Sequence, residues 1–175
     1  ENRTNANYSS ILGGFTNTIS GAFGTITGGQ SNQVVGNWSF IGGGQNNRIL
    51  GMLGGITSGK DNIITSSASF GFVGGGSTNQ VGGSFGSITG GEANLVSTSY
   101  GTVSGGQNNR SMKVYSTVSG GQNNIASGTH SVVSGGNTNT SSGQNSTISG
   151  GLQNIATSTF SAISGGNRNS ATGLL

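Results

Sequence analysis

The chain has 175 residues, of which 37 are Gly and 5% are charged, and its net charge is +3. Pro and Cys are both absent, which excludes a disulfide-stabilised scaffold and zinc sites built on thiolates. Gly, Ser, Asn and Thr make up more than half of the sequence. Because these residues are poor helix formers, a helical bundle is excluded, and no apolar run approaches the roughly 20 residues of a membrane-spanning helix.

A 15-residue repeat runs through the chain, which argues against a disordered linker. Each unit begins with an Asn, here called position 0, and only the interval from Asn62 to Asn79 is longer, at 17 residues. Position 9 is always Ile or Val, position 7 is Ser or Gly, and position 12 is Gly in every full unit. The position-0 residues are Asn2, Asn17, Asn32, Asn47, Asn62, Asn79, Asn94, Asn109, Asn124, Asn139, Asn154 and Asn169.

Each unit contains two short segments of alternating polarity, such as residues 32–34 and 39–41, and this alternation is typical of strands. Gly-rich residues able to adopt positive φ follow each segment and mark a corner. Two strands and two corners in 15 residues predict one coil of an all-β parallel β-solenoid. At about 4.8 Å per coil, about 11 coils make a rod roughly 55 Å long, and we expect residues 1–175 to form a single domain.

The alternation places positions 0, 2, 7 and 9 inside the solenoid and positions 1, 3, 8 and 10 outside. Buried Asn side chains need hydrogen-bond partners, and stacked identical Asn residues can provide them along the column or at the corner backbone. The sequence therefore predicts a structural Asn ladder. Its members are Asn17, Asn32, Asn47, Asn62, Asn79, Asn94, Asn109, Asn124, Asn139 and Asn154.

Three irregularities follow in chain order. The two extra residues of the long unit fall within residues 65–69, at a corner, and should bulge outward. Position 2 is Ile or Val from Ile19 to Val96 and then becomes Ser or Ala, so the last third should have a thinner, less stable core. No polar capping unit is visible after Asn169, so we expect either that the chain was cut from a longer rod or, as the favoured interpretation, that another subunit covers its end. We expect Leu174 and Leu175 there to contact another subunit.

The motif resembles a known group of repeats. Residues 116–128, STVSGGQNNIASG, resemble head repeats of trimeric autotransporter adhesins and related bacterial or phage fibre proteins. Those repeats commonly have 14 residues, with Ala where this chain has Ser or Asn. The scheme x-x-N-x-V-x-G followed by x-x-[NS]-x-V-x-x-G is similar to grass ice-binding β-rolls. The resemblance covers practically the whole chain and implies a left-handed β-roll, a fold that serves both adhesion and ice binding.

Eight of the eleven aromatic residues share position 6, which precedes the inward position 7 and should lie outside on a corner. A continuous exposed apolar stripe usually marks an interface. The alternative is a stack of rings that only covers the corner. The aromatic column consists of Tyr8, Phe23, Trp38, Phe70, Phe85, Tyr100, Tyr115 and Phe160, and Leu53, His130 and Asn145 complete position 6.

Ser and Thr recur at the outward positions 8 and 10. A flat array of this kind can order water in an ice-like lattice, although Phe40, Gly55 and Phe72 interrupt it. The simpler interpretation is that β-favouring side chains cover a solvated sheet. The candidate ice face includes Thr25, Thr27, Thr102, Ser104, Thr117, Ser119, Thr147 and Ser149.

Little in the sequence favours catalysis. The carboxylates Glu1, Asp61 and Glu92 lie in distant coils, and His130 is the only His, so no catalytic, metal or cofactor site is predicted. The basic residues are too sparse for a nucleic-acid stripe. We expect a structural subunit or segment of an extracellular filament, fibre or adhesin, not an enzyme. Its partners would be copies of itself, as a trimer or an end-to-end filament, and a host surface or glycan. Neither nucleic acid nor membrane insertion is expected, and ice binding is the alternative.

Overall fold

The computed structural model describes residues 1–173, and these contain strands and turns without a helix. Two-residue strands alternate between two parallel sheets, one strand of each sheet per coil. This confirms the predicted parallel β-solenoid of about 11 coils. The short strands agree with the repeat, because each alternating segment is only three residues long and a Gly-rich corner follows it.

The first sheet carries positions 1 and 2 of every coil, and the second sheet carries positions 8 and 9. Numbered along the chain, the first sheet comprises β1 (Arg3–Thr4), β3 (Thr18–Ile19), β5 (Gln33–Val34), β7 (Arg48–Ile49), β9 (Ile63–Ile64), β11 (Gln80–Val81), β13 (Leu95–Val96), β15 (Arg110–Ser111), β17 (Ile125–Ala126), β19 (Thr140–Ser141), β21 (Ile155–Ala156) and β23 (Ser170–Ala171). The second sheet comprises β2 (Ser10–Ile11), β4 (Thr25–Ile26), β6 (Phe40–Ile41), β8 (Gly55–Ile56), β10 (Phe72–Val73), β12 (Ser87–Ile88), β14 (Thr102–Val103), β16 (Thr117–Val118), β18 (Val132–Val133), β20 (Thr147–Ile148) and β22 (Ala162–Ile163).

The pairing register follows the repeat. Thr102 pairs with Thr117, 15 residues later, whereas Gly55 pairs with Phe72 across the long unit. Of the extra residues, Ser66 and Ser67 are exposed, and Ser67 Oγ donates to the carbonyl of Gly82 in the next coil (2.8 Å). The insertion therefore leaves the sheets in register and protrudes at the corner.

A third row of backbone pairing, which the sequence did not predict, runs along position 13. Single parallel bridges join residues such as Gln30, Gln45 and Lys60 in successive coils. Position 13 stands alone between two turns, so it has no alternating neighbours that would mark it as a strand. Each coil thus has two strands and one bridge, rather than the two strands that the repeat predicts.

The corners use positive φ at three positions per coil, of which only position 12 is Gly. A Cβ on Gly106, whose φ is +85°, would lie 2.1 Å from the carbonyl oxygen of Gly121 in the next coil. Positions 6 and 14 adopt φ of 53–62° with ordinary side chains, including the aromatic column. The backbone hydrogen bonds between coils change direction at these positions. In the strand, Thr25 N–H donates to the carbonyl of Ser39 in the following coil, whereas at position 6 Phe23 N–H donates to the carbonyl of Asn7 in the preceding coil.

The core is built from positions 2 and 9, where Ile and Val are fully buried from Ile19 to Val103. Position 7 faces position 2, because a Cβ on Gly24 would lie only 2.8 Å from Ile19 Cγ2. In the last third, position 2 is Ser or Ala, and at Ser111 and Ser141 it meets Ser at position 7. The hydroxyls of Ser111 and Ser116 are 2.7 Å apart and fully buried, so hydroxyl pairs replace apolar contacts there.

Candidate interaction surfaces

The ten asparagines of the Asn ladder are 0–1% exposed. At a typical step, Asn109 N–H donates to Asn94 Oδ1 (2.9 Å), and Asn109 Nδ2 donates to the carbonyls of Gly105 (2.9 Å) and Gly121 (2.8 Å). Asn109 Oδ1 in turn accepts from Asn124 N–H (2.9 Å), so each Asn joins three successive coils. Within residues 1–173, every buried side-chain nitrogen or oxygen has a hydrogen-bond partner. The ladder uses its polar groups internally, which gives it a structural role.

The aromatic column lies outside on the corner at position 6. Its rings form two parallel stacks with centroid separations of 4.7–5.4 Å and interplanar angles up to 17°. Leu53 separates the stacks, and His130 closes the second one against Tyr115. The first stack contains Tyr8, Phe23 and Trp38, and the second contains Phe70, Phe85, Tyr100, Tyr115 and His130. Phe160 lies beyond Asn145, which interrupts the rings.

Stacking leaves the rings of the column about half exposed, for example 47% for Phe85 and 49% for Tyr115. The stacked faces contact one another, so the ring edges remain for contacts with other molecules. Such a ridge suits packing against an apolar protein surface, where edge contacts are favourable. It suits sugar rings less, because they prefer an open aromatic face.

The candidate ice face lies on the outer side of the second sheet. Thr102 and Thr117 are direct neighbours in register, and their side chains are half-buried, whereas Ser104 and Ser119 are exposed. The array is interrupted where Phe40 and Phe72 flank Gly55. The longest regular part of the array therefore runs from Ser87 through Thr102 to Thr117, and Val132 and Ala162 interrupt the coils that follow.

The acidic residues Asp61 and Glu92 lie two coils apart. Each carboxylate accepts a hydrogen bond from an amide of an adjacent coil. Asp61 Oδ1 accepts from Asn46 Nδ2 (3.0 Å), and Glu92 Oε2 accepts from Gln107 Nε2 (3.0 Å). No group of three potential metal ligands occurs within the part of the chain that the structure describes. Leu174 and Leu175, the expected end contact, lie outside the described residues.

The structure has two surface features that the sequence did not predict. Along position 13, an amide ladder runs from Asn137 to Gln122 (3.1 Å), to Gln107 (2.7 Å) and to Glu92. Beside it, shallow grooves run between position 14 and position 1, and they contain Arg48 and Arg110. The repeated segment GGQNNR, at residues 43–48 and 105–110, is the sequence signal that marks both grooves.

The described residues contain no helix long and apolar enough to cross a membrane. No protein-family model matches this chain, and no curated protein matches its sequence.

Proposed function

We propose that this chain is a structural subunit or segment of an extracellular filament, fibre or adhesin, in which copies associate through the aromatic column. We also propose that the solenoid is a left-handed β-roll of the kind found in adhesin heads. The observation that carries the function is the row of half-exposed rings along one corner. Large contiguous apolar patches on soluble proteins usually mark interaction surfaces.

The area of the column is sufficient for association. An aromatic side chain buries about 150–250 Å² when fully covered, and the rings of the column are about half exposed. Eight such rings would bury roughly 800 Å², which is the contribution of one partner to an interface of standard size. The rigid, stacked rings would lose little conformational entropy on binding, which lowers the cost of association.

Replacement of Phe85, Tyr100 and Tyr115 by Asn tests this role. Asn tolerates positive φ and already occupies the column at Asn145, so the coil should remain folded. We expect the parent protein to sediment as an oligomer or filament and the triple variant to dissociate. The matched control is Phe40→Asn with Phe72→Asn, which removes two rings that are 44% and 42% exposed from the second sheet.

The control variant should assemble like the parent. A monomeric parent at every concentration, or a folded triple variant that assembles normally, would refute the interface. In that case the rings serve only to cover the corner.

Ice binding is the second candidate, and the register of Thr102 with Thr117 favours it. An ice-binding protein would be a monomer with this face free. Thr102→Lys with Thr117→Lys should then abolish thermal hysteresis, whereas a filament subunit would show none to lose.

A further inference from the structure

The two grooves are copies of one arrangement at different places along the rod. Each begins with the segment GGQNNR and places its Arg at position 1, on the outer face of the first sheet, next to the position-14 corner. The first groove is lined by Ser31, Gln33, Asn46, Asn47, Arg48, Asp61 and Ile63. The second groove is lined by Asn108, Arg110, Asn123 and Ile125.

Local structure fixes the groups of the second groove. Asn108 and Asn123 hold position 14 with φ of 55° and 57°, so the backbone at the corner is defined in both coils. Arg110 pairs with Ile125 on one side and with Leu95 on the other. The guanidinium group is therefore flanked by aliphatic side chains on the sheet and by amides at the corner.

One residue distinguishes the grooves. In the first groove, Asp61 lies at the corner and accepts a hydrogen bond from Asn46 Nδ2 (3.0 Å). In the second groove, Asn123 stands at the equivalent position, and none of the four lining residues is acidic. The first groove thus contains a carboxylate as well as Arg48, whereas the second presents an Arg and two amides.

We propose that the second groove binds the carboxylate group of an acidic saccharide. Arg110 would pair with the carboxylate, because the planar guanidinium matches its two oxygens. The amides of Asn108 and Asn123 can exchange hydrogen bonds with sugar hydroxyls, and Ile125 offers an apolar surface for the C–H groups of the ring. In the first groove, Asp61 repels such a ligand. This proposal goes beyond the filament function and does not require assembly.

The test uses NMR titration of the ¹⁵N-labelled protein with a galacturonic acid trimer, with its neutral methyl ester as the control ligand. We expect shifts of the side-chain amides of Asn108 and Asn123 with the acid and none with the ester. R110Q should weaken binding by about tenfold or more, since a hydrogen bond to a charged group contributes that much. N123D should also weaken binding, because the new carboxylate repels the carboxylate of the ligand. D61N should create a second set of shifts around Arg48.

Three results would overturn the proposal: equal binding of the ester, unchanged affinity in folded R110Q, or no new site in D61N. Inorganic sulfate and an oligothymidylate are titrated in parallel. If either produces the same shifts at equal or lower concentration, the groove is a general anion site and the assignment to an acidic saccharide fails. Sedimentation of the same variants should match the parent, which separates this result from the fate of the proposed assembly.

Discussion

Replacement of Asn124 by Leu tests how much one step of the Asn ladder contributes to stability. The side chain makes three contacts: its Nδ2 donates to Gly120 O and Gly136 O, both at 2.9 Å, and its Oδ1 accepts from Asn139 N–H at 3.0 Å. Leu has a similar size but can make none of these hydrogen bonds. The substitution therefore removes polar contacts without opening a large cavity.

The cost depends on which groups lose their only partner. Gly136 O still accepts from Gln122 N–H (3.0 Å), and Gly120 is half-buried, so water can reach its carbonyl. The backbone N–H of Asn139 has no such substitute, because this residue is 0% exposed. A buried donor without an acceptor costs about 1–3 kcal/mol, and we expect the free energy of unfolding to fall by that amount.

Urea denaturation followed by circular dichroism gives the stability, and amide hydrogen exchange in coils 8–10 locates the loss. Gln122→Leu is the matched control, because it removes an exposed amide two residues away and should change stability by no more than about 0.5 kcal/mol. Equal stability of the two variants would refute an energetic role for the buried Asn column.

Two further predictions concern the core. Gly24→Ala should destabilise the protein by about 1–3 kcal/mol in thermal or chemical denaturation, because the new Cβ would lie 2.8 Å from Ile19 Cγ2, whereas Gly28→Ala, with no atom within 4 Å of its Cβ, should be close to neutral. In native-state hydrogen exchange, amides near Ser111 and Ser141 should be less protected than those near Ile49, because each lost Ile burial removes about 1.5–3 kcal/mol of local stability; equal protection would mean that the buried hydroxyl pairs compensate fully.

The period of the sequence was sufficient to predict the solenoid, because every coil repeats the same inward Ile or Val and the same Gly corner. It predicted two strands per coil but not the bridge at position 13, since a single paired residue between turns leaves no alternation. It also assigned positive φ to Gly-rich residues alone. Phe23 and Ser31 adopt it as well, because the pairing of both neighbouring coils holds the corner in that conformation.

The sequence predicted the aromatic column but not the groove at Arg110. The aromatic column is visible in the sequence because ring residues are rare elsewhere in the chain. The groove at Arg110 is marked only by the repeated segment GGQNNR, because Asn, Gln and Ser are common throughout the chain, and only the structure shows that Asn123 and Ile125 also line it. A site whose residues come from successive coils and share the background composition has little local signal.

The interior and the surface of this solenoid are organised in different directions. Inside, apart from the buried Asn ladder, which runs along the rod, side chains fit across the coil: Ile19 requires Gly24, and Ser111 hydrogen-bonds Ser116. Outside, residues fit along the rod, as Phe85 stacks on Tyr100 in the next coil. Because the 15-residue register is held by the backbone and the Asn ladder, exchanges at positions 1, 6, 13 and 14 leave the interior contacts unchanged. Columns at these positions are therefore where such a repeat can acquire binding surfaces without loss of its fold.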